Sequence, residues 1–73
     1  MDLDDAASID EQIEEVSREI AMRERLYPGW VRTGRMTLHG SLRQLRRLRA
    51  VLRTLQAVRE ASNDASMGRG GGG

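Results

Sequence analysis

Cysteine and lysine are absent from this 73-residue chain, and proline, tryptophan, tyrosine and histidine occur once each. Each absence removes a class of chemistry. Without cysteine there is no disulfide, no thiolate zinc site and no cysteine nucleophile. One histidine, His39, cannot build a two-histidine metal site. Nor can it serve the serines at positions 8, 17, 41, 62 and 66 as a triad base. Without lysine, Gly29, Gly34 and Gly40 do not make a phosphate loop. Aromatics are 3% and charged residues 32%, a balance that suits helices and argues against a sheet sandwich or barrel. No apolar run approaches the ~20 residues of a membrane span, and the acidic start is unlike a signal peptide. A chain of this length forms one small domain at most, and domains this small commonly need a staple that is missing here. We therefore expect a soluble, intracellular helical binding module with no metal, no cofactor and no enzymatic activity.

What is present is charge, and it is segregated. The formal net charge is +1. Residues 1–17 carry seven acids and no base, whereas residues 18–59 carry eleven arginines against Glu19 and Glu24. The two blocks cancel, so local fields say more about partners than the net value does. Arginine presents a planar fork for bidentate contact with phosphate or carboxylate. A coding bias of the source genome would give the same composition.

Residues 1–7 read as a disordered acidic start. Ser8-Ile9-Asp10-Glu11 then fits a capping box, in which serine and glutamate side chains satisfy each other's backbone amides. Ile9, Ile13, Val16, Ile20 and Tyr27 fall within roughly 60° of arc at helical spacing. This predicts a first helix over 8–27 with one narrow apolar seam. Glu14–Arg18 and Glu19–Arg23 are i,i+4 pairs in the favoured order. Pro28 disfavours helical geometry in the residue before it and so predicts an end near Tyr27.

The connector, 28–37, holds Trp30, Arg32, Gly34, Arg35 and Met36. Gly34 can close a turn in the left-handed conformation, and Thr37 can cap the next helix. Tyr27, Trp30, Val31 and Met36 read as a corner plug. Alternatively, Trp30 with its neighbouring arginines forms a stacking surface for a base or a partner's side chain.

The second helix is expected over 38–61. Leu38, Leu42, Leu45, Leu48, Val51, Leu52, Leu55 and Val58 make a stripe of roughly 200°, wider than the first helix's seam can cover. Arg43, Arg46, Arg47, Arg49 and Arg53 occupy the opposite arc, in a stretch (38–59) with no acid. An antiparallel hairpin places the acidic beginning of the first helix near Arg53 and Arg59. It leaves Arg43, Arg46 and Arg47 near the connector, with Arg32 and Arg35. Trp30, Arg32, Arg35, Arg43, Arg46, Arg47, Arg49 and Arg53 are thus the candidate partner-binding residues, against the plainer reading of a solvated face. Residues 62–73, ending in a glycine run, read as a flexible tail.

The fold class these signals predict is all-α, an antiparallel two-helix hairpin with a short structured connector and disordered ends. The run Arg18-Glu19-Ile20-Ala21-Met22-Arg23-x-Arg25-x-Tyr27-Pro28-x-Trp30-Val31-x-x-Gly34-Arg35-Met36-Thr37 resembles a group of short helical proteins encoded by phages and prophages. That group carries no assigned chemistry. Its members have glutamate or glutamine and alanines where this chain has Leu38-His39-Gly40-Ser41, and fewer arginines in the second helix. The basic face is then this protein's own specialisation.

In size and arginine-rich character the chain is also similar to small phage-encoded transcription regulators that bind host RNA polymerase. That resemblance implies a protein of the bacterial host cytoplasm that binds host RNA polymerase at its largest catalytic subunit. It implies inhibited initiation through displacement of the sigma factor, and antitermination. No interface residue is carried over from it, but an arginine face suits acidic polymerase surface, nascent RNA or DNA, and the acidic end suits a basic polymerase element. Two rival readings use the residues alone: an arginine-face nucleic-acid binder, and a structural hairpin that forms a weak homodimer through its leucine stripe.

Overall fold

A computed structural model describes residues 7–72, with side chains through Asp64. Two helices, α1 (Ile9–Arg32) and α2 (Leu38–Gly72), pack side by side as an antiparallel hairpin. Asp10 meets Arg59 at the open end and Tyr27 meets Gln44 near the connector, which fixes the register.

α1 starts as its sequence dictates. The Ser8 hydroxyl accepts from the Glu11 amide at 3.0 Å, and the Glu11 carboxylate accepts from the Ser8 amide at 2.9 Å. Replacing Ser8 with alanine should cost about 1 kcal/mol, read as a lower midpoint in denaturant-induced loss of helical circular dichroism.

The helix does not stop at Tyr27. It runs through Pro28 to Arg32, a correction to the expected boundary. Pro28 and Glu24, whose carbonyl loses its amide partner to the proline, are both exposed residues. Tyr27 is buried and Trp30 packs on the same cluster, with ring centroids 5.8 Å apart. Burial of that pair outweighs the local penalty, as tertiary packing commonly outweighs propensity.

Termination falls instead at Gly34, with φ +83°. The Arg35 amide donates to the Trp30 carbonyl at 2.8 Å and the Gly34 amide to the Val31 carbonyl at 3.2 Å. These are the paired bonds of a Schellman cap. A side chain at Gly34 would meet nothing within 4 Å, so alanine there is opposed by backbone conformation alone. Gly34→Ala should destabilise the hairpin by about 1–2 kcal/mol and Gly34→Asn by less, measured by thermal unfolding.

Thr37 caps α2, its hydroxyl accepting from the Gly40 amide at 2.9 Å. A Cβ at Gly40 would sit 2.9 Å from that hydroxyl, so the glycine leaves room for the cap. Past residue 61, where the tail was expected, α2 continues to Gly72. Extending an existing helix adds one hydrogen bond per residue without a new nucleus. The acidic start at residues 1–6 and the side chains of residues 65–73 lie outside the described residues.

The core is thin. Ile13, Ile20 and Tyr27, spaced by seven, are buried on α1, and Leu45 and Ser41 on α2. Val16, Trp30, Met36, Leu48 and Leu52 are half-buried around them. The Ser41 hydroxyl donates to the Leu38 carbonyl at 2.7 Å, so its burial leaves no polar group unpaired. Leu38, Leu42, Val51 and Val58 remain exposed, as the excess width of the stripe predicts.

Candidate functional site

The described ion pairs sort the arginines. Arg59 reaches Asp10 at 3.3 Å, Arg49 pairs with Glu24, and Arg23 with Glu19. Arg18 pairs with Glu15 at 2.9 Å, not with Glu14 as the i,i+4 pattern suggested. Positions three and four residues apart are both neighbours on a helix, and here the i,i+3 partner takes Arg18. The hydrogen bond from Arg23 holds the Glu19 carboxyl below its ordinary 4.5 against a weaker opposing push from desolvation. The stabilisation tied to this depressed value is present above pH 4.5 and is lost as pH falls through the lowered pKa. Among the described residues, Arg43, Arg46, Arg47 and Arg53 have no acidic partner.

Four of the candidate arginines converge. His39, Leu42, Arg43, Arg46, Arg49 and Arg53 line one open recess along α2. Helical geometry explains the grouping. Steps of three, four and seven return side chains to one face, so His39, Arg43, Arg46 and Arg53 follow each other along roughly 20 Å of helix. Arg49 joins from the inner edge, where it also ties α2 to Glu24 of α1. Leu42 forms the apolar floor and is 56% exposed. It borders a second, largely apolar recess with Leu38, Leu45, Tyr27, Pro28 and Val31. The result is a cationic ridge beside an apolar step. Among the described residues no group of three or more acids and histidine is placed to hold a metal ion.

The remaining candidates stand apart. Arg47 is exposed but lies off the recess, about 100° around α2 from Arg46. The Arg35 guanidinium lies 5.2 Å from the Trp30 ring centroid. In a Schellman cap the same two positions usually hold an apolar contact, and here a cation–π contact takes that place. Trp30 is thus covered by Tyr27 on one side and Arg35 on another. The Arg32 guanidinium lies back along Gly29, 3.8 Å from where a Cβ there would be. These three residues do not border the arginine recess.

Two contributions escaped sequence reasoning. His39 joins the recess, a membership signalled by its i,i+4 and i,i+7 spacing to Arg43 and Arg46. Glu24 anchors Arg49 across the helix pair, which depends on interhelix register. Comparison of the chain with protein families, curated proteins and solved structures finds no match. Among the described residues no helix is long and apolar enough to cross a membrane.

Proposed function

We propose that this protein is a non-catalytic binding module whose α2 arginine recess docks on an acidic protein surface. In the reading drawn from its phage-like character, that surface belongs to host RNA polymerase in the host cytoplasm. Docking there would inhibit initiation by loosening the sigma factor and favour antitermination. The observation that carries the docking mode is the composite recess: His39, Arg43, Arg46, Arg49 and Arg53 around an exposed Leu42. Protein interfaces combine an apolar anchor with a polar rim and are enriched in arginine. A phosphate backbone offers charge but nothing for Leu42 and Leu38 to bury against. That favours a protein partner over direct nucleic-acid binding, with nascent RNA or DNA as an accessory contact.

The test is capture from a lysate of the bacterial host on immobilised full-length protein. Core polymerase subunits retained in stoichiometric amount are the expected result. Their absence at moderate salt would overturn the polymerase reading. Retention of nucleic acid alone, with a steep loss of affinity between about 50 and 200 mM salt, would replace it with the nucleic-acid reading.

A further inference from the structure

The arginine recess leaves the opposite side of the hairpin unexplained. There, Val16, Val51 and Leu55 floor a second apolar groove, rimmed by Glu11, Gln12 and Glu15. It shares no residue with the arginine recess. Val51 sits about 140° around α2 from Arg46, so the two surfaces face different ways. Val51 and Val58 are 46% and 49% exposed. Seven residues apart, they form one row.

Charge along this row identifies the occupant. Arg47, four residues before Val51, lies on the same side of α2 toward the connector, exposed and without an acidic partner among the described residues. Glu15 lies on the other side of Val51 along the hairpin axis. The contacts Tyr27–Gln44 and Asp10–Arg59 set the register, and it places Glu15 level with about residue 55 of α2. Arg47 is then roughly 6 Å from the level of Val51 in one direction and Glu15 roughly 6 Å in the other. A two-fold axis through the Val51 row, reversing the hairpin axis, brings each Arg47 level with the other copy's Glu15, a carboxylate that also pairs with Arg18 of its own chain. It also stacks the two apolar grooves. The surface is self-complementary in the sense an isologous dimer requires.

We infer that a second copy of this chain covers the Val16/Val51/Leu55 groove, forming a four-helix dimer with Val51 at its centre. The thin core fits this assignment. Each hairpin buries its seam on one side only, and the second copy supplies the missing apolar cover. Both arginine recesses stay outside, so the dimer presents two of them. The inference stands independently of the proposed function.

Sedimentation equilibrium on the full chain, from about 1 to about 200 μM, tests it through mass action. The wild type is expected to dimerise. Val51→Glu should weaken the dimer at least about tenfold, with circular dichroism showing whether the monomer remains helical. Should Val51→Glu unfold, the exposed pair decides. Arg47→Glu alone should weaken the dimer by a similar factor, and Arg47→Glu with Glu15→Arg should restore it. Leu42→Glu should leave it intact. A wild type that stays monomeric throughout would overturn the inference. So would a dimer lost with Leu42→Glu but kept with Arg47→Glu, or a double reversal that fails to restore association.

Discussion

Tyr27→Ala should unfold the hairpin. Tyr27 is 4% exposed and is the most deeply buried apolar side chain described. It joins Ile20 and Leu45 in the core cluster, supports Trp30, and donates its hydroxyl to Gln44 at 2.8 Å. Removing a buried aromatic ring costs about 3–5 kcal/mol. A single core in a domain this small rarely supplies more than about 3–5 kcal/mol in total. The variant is therefore expected to lose cooperative thermal unfolding and most of its helical signal. The loss should spread past Tyr27 because Pro28 follows it. Helix beyond a proline persists here only while Tyr27 and Trp30 hold the turn against the core. Tyr27→Phe keeps the ring and removes one hydrogen bond, so it should cost only about 0.5–1.5 kcal/mol. Equal effects of the two substitutions would assign the stability to the hydroxyl and contradict the packing account.

The second large effect concerns binding. Changing Arg43, Arg46, Arg49 and Arg53 together to glutamine should leave the hairpin folded. Arg43, Arg46 and Arg53 make no described ion pair, and the Arg49–Glu24 pair is about half exposed, where such pairs contribute roughly 0–1 kcal/mol. Glutamine is also a good helix former. Capture of the anionic partner should nevertheless fall by about 100-fold or more. Truncating a central arginine anchor typically costs about 2 kcal/mol, and the four act on one surface. For the wild type, affinity should decline as salt rises but level off above zero, since Leu42 and Leu38 contribute contact that salt does not screen. Leu42→Gln should then weaken binding without changing its salt dependence. A partner held equally by wild type and the four-fold variant would move the interface to the acidic edge of Glu11 and Glu15.

Much of this architecture is legible in the residues, and the exceptions share a cause. Ser8 with Glu11, Gly34, and Thr37 act as their local chemistry suggests, because a cap depends only on residues within one turn. The approach of Asp10 to Arg59 follows from hairpin topology. The excess width of the leucine stripe correctly anticipates the exposed Leu38, Leu42, Val51 and Val58. The readings that changed depend on contacts distant in sequence. Pro28 ends a helix by local rules, but α1 continues because Tyr27 and Trp30 pack on residues of α2 and the connector. Arg49 looks identical to Arg46 in sequence, and only interhelix register gives it Glu24. Of the two readings open for the connector, the corner plug holds for Tyr27, Trp30 and Met36, which join the core cluster, and the cap closes Arg35 over Trp30. Of the eight candidate partner-binding residues, the four on one face of α2 form a recess, because helical spacing alone assembles them.

The central claim, that the arginine recess of α2 is the binding surface, is tested most directly by backbone and side-chain chemical-shift mapping. The full-length labelled protein would be titrated with purified host core RNA polymerase. Signals of His39, Leu42, Arg43, Arg46, Arg49 and Arg53 are expected to broaden first, while Val51 and Val58 stay unperturbed. Perturbation centred on Glu11, Glu15 and Val51, or no perturbation at saturating polymerase, would contradict that claim.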